Sequence, residues 1–133
     1  MKKLTFPLLL FVGSLLLYSF NYQNSSNEWK APETANKVKN PVEANAKNIA
    51  LGKKIYNKMC WSCHGSNGAG DGPAGASLNP KPADLSTTTF QQQTDGAIFW
   101  KINTGRGTMA SFENSLSEEQ RWAVINYLRT LKK

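Results

Sequence analysis

Two cysteines and one histidine are all that the 133 residues offer as thiol or imidazole ligands. A structural zinc site takes four ligands, usually Cys and His, so that tally falls short of one. Clustered basic charge is missing as well. The formal net charge is +7, yet the lysines are scattered, with no basic run longer than Lys53-Lys54 and Lys132-Lys133. Nucleic-acid surfaces concentrate their charge in a patch or stripe, so this balance argues against a nucleic-acid partner. It suits docking to an acidic protein face. The length allows one domain and little more.

What is present is concentrated. Both cysteines and the only histidine fall within Cys60-Trp61-Ser62-Cys63-His64. A C-x-x-C-H run is the attachment signature of a c-type haem. Two thiols three residues apart reach two vinyl groups on one macrocycle and form thioether bonds, and the next residue brings its imidazole beneath the iron as proximal ligand. Cys60 and Cys63 are therefore read as the covalent sites of one haem c, and His64 as an iron ligand. A thioredoxin-like dithiol is the competing reading, but that motif opens a helix after a strand in a βαβ unit. Here the pair follows a helical stretch, with no alternating strand pattern before it.

The N-terminus begins Met1-Lys2-Lys3 and continues with apolar residues from Leu4 through Phe20. Positive charge followed by an apolar run predicts an export signal or an N-terminal membrane anchor over residues 1–20. No A-x-A cleavage site follows, and no cysteine is present there for lipidation. Either form places the rest of the chain outside the cytoplasm, in a bacterial periplasm, soluble after cleavage or held at the inner membrane. Residues 21–44 are rich in Asn, Ser, Lys and Pro and read as a linker. Trp29 and Ala31-Pro32 depart from that composition and suit a stretch lying against the domain.

The domain is expected over residues 45–133. Ile49, Gly52, Tyr56 and Met59 share one face of a helix running into Cys60. A glycine on the buried face points to another helix crossing closely. Ser117-Glu118-Glu119-Gln120 has the form of a capping box, and Val124, Tyr127, Leu128 and Leu131 behind it form the stripe that could cross Gly52 and Tyr56. Between these helices, residues 65–89 read as a Gly/Pro-rich loop, expected to supply a carbonyl for the second nitrogen of His64 near Asn79 to Lys81. Thr94-Asp95 caps a further helix carrying Ile98, Phe99 and Trp100. Gly105-Arg106-Gly107-Thr108-Met109 then places a methionine on a loop before the last helix. A thioether is a soft, neutral ligand suited to Fe(II), and Met109 is the candidate sixth ligand. Met59 is tied to the proximal side by Cys60, and core filling is the alternative role for Met109.

In this order of features the chain resembles the small monohaem class I cytochromes c. Gly70-Asp71-Gly72-Pro73, Asp95-Gly96 with Phe99-Trp100, and the run to Met109 are similar to bacterial membrane-linked respiratory members. The resemblance implies an all-α fold with crossed N- and C-terminal helices around the haem, and His64 and Met109 as axial ligands. It implies Gly52 and Tyr56 packed on Val124 and Tyr127, and Arg106 and Trp100 near the propionates. Many relatives carry proline after the ligating methionine, where this chain has Ala110. The implied function is one-electron transfer between redox proteins, including membrane respiratory complexes, without enzymatic turnover. A relay subunit of a larger membrane oxidoreductase is one rival. An open-site haem sensor or peroxide enzyme, with Met109 off the iron, is another.

If both thioethers form, acid acetone leaves the pigment on the polypeptide, and intact mass exceeds the chain by one haem. The Cys60→Ser, Cys63→Ser double variant loses both properties. A parent protein that releases its haem to the solvent would refute covalent attachment.

Overall fold

Residues 28–133 are described by the structure, a computed structural model. The expected signal or anchor at 1–20, and linker residues 21–27, lie outside the described residues. Every element is helical: α1 Glu33–Asn36, α2 Ala46–Met59, α3 Trp61–His64, α4 Thr88–Gln91, α5 Asp95–Thr104 and α6 Glu118–Arg129. Among the described residues the only β pairing is the isolated bridge between Arg106 and Met109. The all-α architecture with crossed first and last long helices is the one expected from the sequence.

The helix starts are written locally. Asn45, Thr87, Thr94 and Ser117 each accept a backbone N–H from the first turn, and Ser117 with Gln120 closes the capping box from both sides. These caps satisfy amides that a helix cannot pair internally. Glu118 and Glu119 add negative charge where the dipole favours it.

The crossing of α2 and α6 organises the interior. A Cβ at Gly52 would overlap the carbonyl oxygen of Ala123 and touch Tyr127 Cβ at 3.0 Å, so only glycine lets the two backbones approach this closely. Ala123, with its small side chain, takes the place against Gly52 that the sequence pattern gave to Val124. One turn on, the rings of Tyr56 and Tyr127 meet at 5.2 Å, as expected. Among the described residues Tyr56, Trp122, Val124 and Ile125 are the largest fully buried side chains, with Val124 and Ile125 each gaining about 1.5–3 kcal/mol from burial. Trp122 stacks on Phe99 of α5 at 3.9 Å. The far face of α2 carries Lys47, Lys53, Lys54 and Lys58, all exposed, and the helix has no acidic residue.

Two readings of loop and linker are corrected. Residues 31–44 are part of the compact unit, which begins at Ala31. Ala35 of α1 is buried, and its carbonyl oxygen lies where a Cβ of Gly96 would stand. Asn40 Nδ2 donates to Asn126 Oδ1 at 2.9 Å, and Asn126 Nδ2 donates to the Val42 carbonyl at 3.0 Å. The polarity that suggested a tether is asparagine pairing with main chain and with a buried asparagine. The second correction is α4, a single turn that begins within the last two residues of the stretch read as loop, fixed because Gln91 Nε2 donates to the Leu85 and Leu128 carbonyls. Arg129 then joins α6 to the start of α5 through Asp95 at 2.6 Å and the Gln91 and Gln93 carbonyls.

Gly52→Val should therefore destabilise the domain by ~3 kcal/mol or more through overpacking, and Ser117→Ala by ~1 kcal/mol through loss of its cap. Urea midpoints of the holoprotein measure both. A Gly52→Val variant with parental stability would show that the backbones do not meet there.

Candidate functional site

The end of α2 delivers the motif. Cys60 is the C-cap of α2 and the N-cap of α3, so the helical path bends once and continues through His64. The carbonyl of Cys60 accepts from Cys63 N at 3.2 Å and His64 N at 3.0 Å. Cys60 and Cys63 are free, half-buried thiols. Trp61 between them is exposed, at 42%.

The following loop folds back on this turn by main-chain bonds in reverse order. Gly70 N donates to the His64 carbonyl at 2.8 Å, Gly72 N to Cys63 at 3.2 Å, and Ala74 N to Ser62 at 2.8 Å. Tyr56, buried one turn before Cys60, donates its hydroxyl to the Gly65 carbonyl at 2.6 Å. Burial raises the Tyr56 pKa well above the usual phenol range, so it stays a protonated donor. The motif is thus tied on one side to α2 and on the other to its own loop.

His64 Nδ1 lies 3.1 Å from the carbonyl oxygen of Ala83. A carbonyl only accepts, so Nδ1 carries the proton and Nε2 keeps its lone pair. Burial lowers the His64 pKa, partly opposed by the bond to Ala83, which favours the neutral imidazole that ligates metals. The acceptor lies two residues beyond the expected stretch Asn79 to Lys81. The reason is the anchoring of the next residues: Leu85 is buried with its N–H on Gly68 O at 2.6 Å, and Ser86 N bonds Asp84 Oδ1 at 2.8 Å. Ala83 is presented by that turn, and no feature of its own side chain marks it.

Met109 borders the core that Cys60 also borders. It is half-buried, packed against the core cluster along with Met59, Cys60, Phe90, Phe99 and Phe112. Arg106 lies on the turn before Met109, and Trp100 is half-buried on α5.

This donor set fits a covalently held haem. It supplies two unpaired thiols on one helical turn, an imidazole with its Nε2 free, a thioether and apolar side chains. It does not fit the alternatives. Burial, with a smaller effect from Cys63, pushes the Cys60 thiol up to about 12, whereas a dithiol oxidoreductase depends on a lowered thiol pKa. Among the described residues, no group of three or more His, Cys, Asp or Glu could hold a metal ion.

A family model described as "Cytochrome C oxidase, cbb3-type, subunit III" matches residues 47–128. The chain belongs to the cytochrome c family. It is 30% identical over 94 residues to the chloroplastic cytochrome c6 of Chlamydomonas reinhardtii, covering 65% of this chain and 57% of that relative. It is 32% identical over 79 residues to cytochrome c6 of Leptolyngbya boryana, covering 59% of this chain and 87% of the relative. Among solved structures it is similar to a chain of the Kuenenia stuttgartiensis reducing HAO-like protein complex Kustc0457/Kustc0458, with TM-score 0.63 and 31% identity over 70% of this chain and 47% of that one. It is also similar to the KustC0563 c-type cytochrome, with TM-score 0.53 and 27% identity over 62% of this chain and 98% of that one. Family membership implies covalently bound haem c. Among the described residues no helix is long and apolar enough to cross a membrane.

Tyr56→Phe removes the hydroxyl that satisfies the Gly65 carbonyl beside the motif. A stability loss of about 1–3 kcal/mol is expected, since the carbonyl is left unpaired; the denaturant midpoint of the holoprotein reads it, and an unchanged midpoint would mean the bond contributes nothing.

Proposed function

We propose that the protein is a one-electron carrier with one haem c, attached through Cys60 and Cys63 and ligated by His64 and Met109, working in an extracytoplasmic respiratory chain. The observation that carries the reading is the imidazole of His64, fixed on Ala83 with Nε2 free, in a family whose members hold haem c. When bound, the haem supplies Fe(II)/Fe(III) exchange. The residues do the rest. His64 offers a neutral nitrogen whose tautomer does not change. Met109 offers a thioether, which favours the ferrous state and raises the potential over a second nitrogen. Phe99, Phe112 and Leu116 would exclude water and keep the surroundings apolar, pushing the potential the same way. With both axial positions filled, no small substrate needs to bind. Arg106 and Trp100 are candidates for the propionates.

Partners would be redox proteins met through small, polar, short-lived contacts, membrane respiratory complexes among them. Export or tethering by residues 1–20 would place the domain in the periplasm. A second reading, a relay subunit of a larger oxidoreductase, is favoured by the subunit description of the matching family and by the similarity to a chain of a multi-protein complex. Co-purification from native membranes separates the two.

The ferric holoprotein should show a sulfur-to-iron charge-transfer band at the red edge of its spectrum. Met109→His should abolish that band and lower the reduction potential by a sizeable part of the ~0.8 V that axial ligands command. A high-spin ferric parent without the band would instead mean an open site and overturn His/Met ligation.

A further inference from the structure

The residue after Met109 is Ala110, which is exposed and lacks the ring that would fix its backbone if it were a proline. Something else must hold the chain at that point. The loop is closed at its base by bonds to the end of α5: Phe112 N donates to the Ile102 carbonyl at 3.0 Å, and Ser111 Oγ donates to the Asn103 carbonyl. Within it, Arg106 and Met109 exchange backbone bonds at 2.9 and 3.0 Å. Gly107, at φ +58°, takes the first central position of that tight turn, as in type II′ hairpins. These bonds fix the turn's shape and tie it to α5. They do not tie it to α6.

Arg121 hydrogen-bonds across that gap. Arg121 lies in the first turns of α6, and its Nη1 donates to the carbonyls of Glu113 at 2.6 Å, Leu116 at 3.2 Å and Phe112 at 3.4 Å. Its guanidinium also lies 5.3 Å from the centre of the Phe99 ring. Arg121 is only 8% exposed, and it is in neither of the ion pairs among the described residues. A buried cation without an anionic partner is costly. Here its compensation comes from carbonyl dipoles and an aromatic face, and its Nε has no partner. Among the described residues the other buried side-chain atom without one is Asn103 Oδ1, on the residue whose carbonyl receives Ser111. Both unsatisfied groups thus belong to residues that frame the methionine loop. An apolar side chain of similar volume would avoid the desolvation cost, so stability alone does not account for arginine at this position.

We propose that Arg121 is a positioning residue for Met109: it clamps residues 112–116 to α6 and so limits departure of the thioether from the haem iron. This rests on the His/Met ligation proposed above. The structural basis is a charged clamp immediately downstream of the ligand, in place of a rigid residue beside it. Hydrogen bonds to a charged group outweigh neutral ones, so losing the clamp should open the loop more often than a surface change would.

The test is competition for ferric iron in the full-length holoprotein, with imidazole as the entering ligand and the sulfur-to-iron band as the readout. Arg121→Met should bind imidazole about tenfold or more tightly than the parent, and its band should fade at lower urea. Arg121→Lys, which keeps a cationic donor without the fork, should fall between the two, and serves alone if Arg121→Met does not fold. Arg129→Met removes a half-buried, ion-paired arginine network on α6 away from this loop, and should lower global stability while leaving imidazole affinity within about twofold of the parent. Parental imidazole affinity in the Arg121 variants would overturn the proposal, as would an equal gain in Arg129→Met. If the parent itself lacks the band, methionine ligation fails and the clamp's role falls with it. That result is distinct, because it appears before any substitution is made.

Discussion

The approach of two helix backbones at Gly52 and Ala123 sets the positions of everything else in the domain. Because no side chain stands between them, the crossing point is fixed by main-chain atoms and is insensitive to rotamer. Two turns beyond Gly52, α2 ends in Cys60, so the place where the thiols emerge follows from the crossing and from the rise of a helix. On α6, Arg121 precedes Ala123 by two residues, so the same contact aims the guanidinium at the methionine loop. One packing decision therefore sets the geometry on both sides of the candidate haem site.

Around the motif the structure relies on backbone. The carbonyls of Ser62, Cys63 and His64 are engaged by the returning loop, Gly65 by Tyr56, and His64 itself by Ala83. Such bonds stiffen the motif without introducing charge. A rigid surround of main-chain bonds would suit the electron exchange proposed for this site, which calls for little rearrangement. The methionine side is built differently, from a tight turn and a buried cation, and its rigidity is supplied from outside the loop.

Much of this was legible in the sequence because it is encoded locally. The capping box at Ser117, the cap at Thr94 and the glycine on the buried face of α2 each announce themselves within a few residues, and the structure has all of them. The residues of the C-x-x-C-H motif and Met109 were named from order and spacing, and of these Cys60 and Met109 pack against one core. What escaped depends on distant partners. The strap from Ala31 to Ala44 looks like a tether because its asparagines are polar, and only Asn126, far along the chain, shows that they are paired. Arg121 was not singled out, because its partners are the carbonyls of Phe112, Glu113 and Leu116, which any residues would supply. Ala83 carries no signal at all, since any residue has a carbonyl and its selection lies in the path of the loop.

That last point bears on how such a site can be altered. The group that orients His64 has no proton to lose, so acid or alkali cannot switch it off while the fold persists. It has no side chain either, so replacing Ala83 by another amino acid leaves the acceptor where it was. Only a change in chain path between the proline-rich segment and Leu85, through a residue gained or lost, would move it. Divergence in how this imidazole is held is therefore to be sought in the length of the loop, not in its spelling.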